Sequence, residues 1–321
     1  SFFKPNKKMI DFTIKNIIKD LENSKLNEPY LNIDNYLNEI CLNKFFNIQE
    51  KLDSIKKINY KDIQNIFKNI IKEKFIKIYI HGNINKENSI KLYDLICKRL
   101  FKNNCSNYKI PEISDFKNIK KNINILDYNI KPANKNENNS CTLVSYFIDY
   151  IKPGITINWE KNIILLFIVN NILSEPFFSE LRSKQQLGYI VRCFLKKMGS
   201  IKYQFYTISF LVQSSKKKSK YLKDKIMNFI ENDAKNIILN ITENDFLKHI
   251  DSIKSNLLDK PDNIYEDYEK QLSQIKSSNY MFNKNKLLIK YLKKIKISDL
   301  HDFFNKYIVN NKKIITLLID P

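Results

Sequence analysis

KINYKDIQNIFKNIIKEKFIKIYI (residues 57–80) and KIKISDLHDFFNKYIVNNKKIITL (residues 294–317) are one pattern written twice. Asp62 falls on Asp299, Phe67 on Phe304 and Ile71 on Ile308. Each copy predicts a helix followed by a short apolar strand, over residues 75–80 and 314–319. The echo reaches upstream. Ile14, Ile18 and Leu21 recur as Phe246, Ile250 and Ile253, each set spaced four then three, which makes one apolar helix face. LNEPYLNIDNY recurs loosely as LDKPDNIYEDY, with Pro29 over Pro261 and Tyr36 over Tyr268. Thr242 and Asp245 predict a capping-box-like start to the second copy's helix. Chance similarity in a biased sequence is the competing explanation, and apolar positions matched in order over roughly 80 residues argue against it.

The repeat has a geometric consequence. The first copy has little chain before it, whereas the second has a long lead-in over residues 122–241. Residues 1–118 are therefore expected to be the C-terminal part of a truncated α+β domain, and residues 119–321 a complete one. The polar stretch 102–121, with Pro111 inside it, is the expected seam. In the lead-in, Val144, Tyr146 and Ile148 alternate, as do Tyr206, Ile208, Phe210 and Val212, predicting two half-buried strands. An apolar helix over 159–173 lies between them, KPANKNENNS (131–140) reads as a loop, and helices fill residues 219–307. Strands, then a helical block, then a closing strand predict an α+β fold, with helices packed on one face of a largely antiparallel sheet.

Composition narrows the function. The formal net charge of +21 invites a nucleic-acid partner. Only three of the 55 basic residues are arginine, however, namely Arg99, Arg182 and Arg192. Bidentate phosphate and base contacts are arginine chemistry. The swollen lysine, asparagine and isoleucine content instead fits A/T-rich codons filling solvated positions, so no nucleic acid is expected. The apolar run 163–173 is interrupted by Asn170 and Asn171 and is shorter than the roughly 18 residues of a membrane span. The start, SFFKPNKKM, lacks the order of a signal peptide and begins at serine, which reads as a fragment or processed product. Cys41, Cys97, Cys105, Cys141 and Cys193 form no CxxC, which predicts free thiols and a reducing, cytoplasmic location.

Signs of independent catalysis are few. His81, His249 and His301 do not sit at metal-ligand spacing, and there is no HExxH or HxxEH. His249 and His301 are expected on solvent-facing helix sides, and His81, before Gly82, in a turn. With four glycines, a phosphate-cradling loop is nearly excluded. One stretch concentrates rare residues: SEPFFSELRSKQQLGYIV, residues 174–191. Ser174 predicts an N-cap, with Glu175 and Pro176 in the first turn. Gly188 then breaks the chain before a strand from Tyr189, so Arg182 and Tyr189 converge at a helix–strand junction. On residue types alone, Tyr189 reads as a core aromatic and Arg182 as a surface cation.

Followed in order by NLLDKP, and preceded by IYIHGNINKE and NNSCTLVSYFIDY, that stretch resembles the insulinase/pitrilysin family of zinc metallopeptidases. The resemblance covers nearly the whole chain. It implies four homologous α+β domains in two halves that close around a peptide chamber, this chain being the second part of domain three and all of domain four. It implies Zn2+ in the full-length enzyme, held by HxxEH in the N-terminal half, and no metal ligand here. By motif, Tyr189 and Arg182 carry over as catalytic residues. The tyrosine hydroxyl donates to the scissile carbonyl as it becomes an oxyanion, and the arginine grips the substrate main chain. A neutral phenol is a donor at pH 7, and one preorganised donor contributes roughly 10²–10³ in rate. Gly188 is expected to let the strand start turn so that Tyr189 points into the chamber. Phe178 carries over as a substrate-binding aromatic, with core packing as the alternative. The implied partners are the N-terminal half of the same protein and peptide substrates, with homodimerisation left open and no membrane. The FF pair departs from relatives that carry a smaller residue first, and RCFLKKMGSIKYQ matches poorly, so substrate preference does not carry over. The expected function is the C-terminal half of a metalloendopeptidase for short peptides. The alternatives are a non-catalytic peptide-binding subunit of the same fold and a presequence- or processing-peptidase-like relative.

Overall fold

The structure, a computed structural model, describes residues 6–43, 45–72, 77–100, 125–148, 157–199, 204–277, 279–311 and 313–321. It begins with five helices: α1 (Lys7–Lys25), α2 (Pro29–Cys41), α3 (Ile48–Ile55), α4 (Tyr60–Lys72) and α5 (Lys86–Leu100). The abundant asparagine has a use here. Asn6, Asn47, Asn59 and Asn85 each accept a backbone N–H at the start of α1, α3, α4 and α5, at 2.8–2.9 Å. These caps satisfy donors that an isolated helix start leaves open.

Five strands follow: β1 (Leu126–Ile130), β2 (Ser140–Ile148), β3 (Ile190–Gly199), β4 (Gln204–Ser214) and β5 (Ile314–Ile319). They form one sheet in the order β1-β5-β2-β4-β3. Every pairing is antiparallel except β1 with β5. Between β2 and β3 runs α6 (Trp159–Phe178), prolonged by a wider π-turn, Ser179–Lys184. After β4 come α7 (Ser219–Asn228), a second π-turn (Phe229–Ala234), α8 (Lys235–Leu239), α9 (Glu243–Leu258), α10 (Ile264–Lys276), α11 (Lys284–Leu292) and α12 (Ile297–Phe304).

The helices after β1 pack on one sheet face. Val144, Tyr146, Ile208 and Phe210 meet Ile163, Ile164 and Val169 of α6, with Leu222, Leu300 and Phe304 closing the layer. The opposite face is not left to water. Ile33, Leu37 and Cys41 of α2 cover Leu143, Phe147, Leu211 and Leu317. This corrects the half-buried expectation for β2, all nine residues of which are buried. The alternation in sequence marks two different cores rather than core and solvent.

The repeat is visible in the architecture. The four helices α1–α4 run in the same order as α9–α12. In both copies the matched aspartate returns to the backbone N–H that precedes its helix: Asp62 to Asn59 and Asp299 to Lys296, each at 2.9 Å. Half of the Thr242–Asp245 box is present: Asp245 N–H donates to Thr242 Oγ1 at 3.1 Å, while the Asp245 carboxylate accepts the Thr242 hydroxyl at 2.8 Å rather than the Thr242 backbone N–H. The copies differ in burial: Phe304 is fully buried, whereas Phe67 is 40% exposed. Ile308 is buried, while the side chain of Ile71 lies outside the described residues.

Three expectations are corrected. Residues 77–80 are not a strand, and 73–76 lie outside the described residues. No described residue before β1 forms a strand, and an extended segment needs a ladder partner. Side chains tether this stretch instead: Tyr79 stacks on Tyr268 at 5.4 Å and His81 Nε2 lies 3.3 Å from Asp267. Gly82, at φ 140°, makes the expected turn. His249 and His301 are half-buried pins rather than solvent-facing residues, bonded to Asn171 Oδ1 at 2.6 Å and to the Ile238 carbonyl at 3.0 Å. Finally, α6 with its π-turn is long and apolar enough to cross a membrane by length and composition, although the apolar run in sequence is short. Here it is the central core helix. The expected seam, 102–121, lies outside the described residues. Among the described residues, Cys97, Cys141 and Cys193 are free thiols.

Candidate active site

The segment 174–191 does not start a new helix. Ser174 sits inside α6, where its hydroxyl donates to the Asn170 carbonyl at 2.5 Å. Pro176 is also internal. The local Ser-Glu-Pro start signal is overridden by burial of Leu173 and Phe177, both fully enclosed. The Phe177 ring meets Phe210 and Phe229 edge-on, with centroids 5.2 Å away in each case. The asparagines that interrupt the apolar run join neighbouring elements. Asn170 Oδ1 lies 3.8 Å from the Cys193 thiol of β3, whose pKa burial pushes up, and Asn171 meets His249.

With Phe177 and Leu181 anchored inward, helical spacing turns Phe178 and Arg182 to the other side. The π-turn closes through Gln185 N–H to the Glu180 carbonyl at 3.0 Å. Glu180 is occupied: hydrogen bonds from Lys184, at 2.9 Å, and Gln185, at 3.0 Å, hold its carboxyl below the usual range. Arg182 thus keeps its charge without a carboxylate partner among the described residues. Its guanidinium carbon lies 5.0 Å from the Phe178 ring centre and 5.7 Å from that of Tyr189. Its Nη1 donates to the Tyr189 carbonyl at 2.7 Å. All three predicted site residues therefore come together. Phe178 is 39% exposed and so not a core residue, and Tyr189 is 83% exposed.

Gly188 is needed for a different reason from the one expected. It has no left-handed φ; Gln186, at φ 50°, does. A Cβ at Gly188 would instead lie 1.8 Å from the Gln213 carbonyl oxygen of β4. The glycine lets the β3 start press against β4, and Ile190 then pairs with Gln213.

Arg182, Gly188 and Tyr189 line a cleft of about 540 Å3, whose lining does not include Phe178. Sequence reasoning missed its other wall, where Glu28 and Tyr30 come from the start of α2 and Lys216 follows β4. Nothing in LNEPYLNIDNY marks Glu28 as lying beside Tyr189; only the folded chain does. Among the described residues no group of three His, Cys, Asp or Glu side chains is placed to hold a metal. Each histidine already has a protein partner. The described residues therefore do not fit a zinc cage.

Residues 168–293 match the family model for the PQQ synthase PqqF-like C-terminal lobe, domain 4. Insulin-degrading enzyme of Drosophila melanogaster is 25% identical over 312 residues, covering 96% of this chain and 30% of that protein. The A-factor-processing enzyme of Saccharomyces cerevisiae is 26% identical, covering 96% and 29%. Crystalline pitrilysin superposes over 99% of this chain and 32% of its own, with a TM-score of 0.74 at 16% identity. The chain resembles the C-terminal half of the insulinase family. It spans about 30% of the length of the curated relatives it matches. A further likeness, with a TM-score of 0.59 at 15% identity, is to an inactive domain of an M16 peptidase from Pseudomonas fluorescens; it covers 98% of this chain and 71% of that one. The insulinase-type α+β fold expected from the sequence is thus present.

Proposed function

We propose that this chain is the C-terminal half of an insulinase-like metalloendopeptidase that degrades short peptides in a closed chamber. The observation that carries this reading is the Arg182–Tyr189 pair in the lining of a cleft, with the Phe178 ring beside the guanidinium. Arg182 has five N–H donors, and one is used on the Tyr189 carbonyl. That bond and the flanking rings hold both residues in place. The remaining donors grip a substrate main chain, and the exposed Tyr189 hydroxyl donates to the oxygen that gains charge in the transition state. Zinc, if held in the N-terminal half of the same protein, would supply the Lewis acidity that makes a water nucleophilic, a role no described residue of this chain takes. The partly exposed α4 face supports such a partner: its repeat mate on α12 is buried against a sheet, while Phe67 and Ile66 remain 40% and 49% exposed. In this reading residues 1–118 close a domain begun upstream, and the free thiols suit the cytoplasm.

The test is cleavage of fluorogenic peptides by the full-length protein and its Tyr189→Phe variant. A fall in kcat of at least about tenfold, with the fold intact, supports a hydroxyl acting in the transition state. Unchanged turnover removes Tyr189 from the chemistry. A second reading, a non-catalytic peptide-binding subunit, is favoured by the likeness to an inactive M16 domain. It predicts peptide binding without cleavage.

A further inference from the structure

We infer that Glu28 makes this cleft select peptides with a basic side chain close to the group that Tyr189 reaches, an inference that rests on the peptide-binding part of the proposed function. Glu28 shares the cleft with Arg182 and Tyr189, yet it comes from the helical unit at the opposite end of the sequence. Its place is fixed by one residue. Gln213 donates from Nε2 to Glu28 Oε2 at 2.5 Å, while its Oε1 accepts the Tyr30 N–H at 3.0 Å. The backbone of the same Gln213 packs against Gly188 and pairs with Ile190. One side chain therefore sets the carboxylate relative to the tyrosine, and a ligand meets a preorganised group.

The electrostatics identify the ligand. In a chain of net charge +21, a carboxylate ordinarily finds a lysine. Glu28 has no cation within 4.0 Å among the described residues, Lys216 on the same wall included, and the neutral amide of Gln213 is its partner. Glu137, in the loop whose Asn139 lines the cleft, is spent differently: its Oε1 accepts two backbone N–H groups and the Asn139 amide, at 2.7–2.9 Å. Arg182 is turned towards the Tyr189 carbonyl and held between two rings. Glu28 is thus the cleft's unspent anion, and a lysine or arginine side chain of the substrate completes it. The second Glu28 oxygen is free to accept, and an exposed pair of this kind is worth up to about 1 kcal/mol, about a fivefold preference.

The experiment measures binding of fluorescein-labelled decapeptides to the full-length protein by anisotropy. Lysine or its neutral isostere norleucine is walked through the central positions. The expected result is one position at which lysine binds about three- to fivefold tighter, a preference that high salt erodes. It disappears in Glu28→Gln and persists in Glu28→Asp. Glutamine at this position can still accept from Gln213, so the cleft keeps its form. An equal lysine-to-norleucine ratio in wild type and Glu28→Gln, or no preference at any position, overturns the inference. Binding is read without turnover, so failure of the peptidase reading shows separately, as absent cleavage or an inert Tyr189→Phe exchange.

Discussion

Arg182 Nη1 donates to the carbonyl oxygen of Tyr189 at 2.7 Å, so the cation fixes the backbone from which the exposed phenol projects. This relationship explains an arginine in a chain that otherwise uses lysine. A guanidinium bonds the carbonyl and lies against two rings at once, and an ammonium does not. Arg182→Lys in the full-length protein is expected to lower kcat/KM about 10- to 100-fold, the equivalent of a charge-assisted hydrogen bond. The melting temperature should barely move, because the site is exposed. Steady-state kinetics beside thermal unfolding separate the two effects.

Gly188→Ala is expected to destabilise the fold by about 1–3 kcal/mol, as overpacking does. The added methyl meets the Gln213 carbonyl, and backbone cannot swing aside as a side-chain tip can. Denaturant unfolding measures it. Unchanged stability would mean that β3 and β4 separate there at no cost.

The repeated aspartates offer an internal comparison. Asp62→Ala removes one cap bond and should cost about 1 kcal/mol. Asp299→Ala also frees Lys161, whose Nζ lies 2.5 Å from Asp299, and should cost up to about 1 kcal/mol more. Parallel chemical denaturation of the two variants checks the order.

His249 introduces a pH dependence. Burial lowers its pKa from the usual 6.5 or so, with Lys248 lowering it further and Asp245 opposing. The unfolded chain therefore takes up a proton at higher pH than the folded chain. Stability from this group is complete above about pH 6.5 and is lost as pH falls from there towards the lowered folded value. His249→Gln should flatten the decline in melting temperature between neutral and mildly acid pH. A decline of unchanged slope would assign it to other groups.

The elements most legible in the sequence were those whose burial is uniform. The six residues of β5, apolar but for Thr316, begin and end where the pattern does. The strand β1 was missed: Asp127 and Asn129 alternate with its half-buried residues, and its partner β5 lies at the far end of the chain. Ser174 misled because capping chemistry is local, whereas enclosure of Phe177 by Phe210 and Phe229 is not. The same contrast governs the site. Arg182 and Tyr189 lie seven residues apart and announce themselves through a motif. Glu28 and Gln213 meet across 185 residues, a closeness created only by α2 crossing the sheet.

That crossing bears on where the molecule can be divided. Ile33, Leu37 and Cys41 are glued to the sheet that the later part of the chain builds. A protease nick within 102–121 would therefore leave two pieces that stay clasped, and they would elute as one particle until denaturant parts them. Residues 119–321 made alone would present Leu143, Phe147 and Leu317 bare to water, a sticky surface prone to self-association.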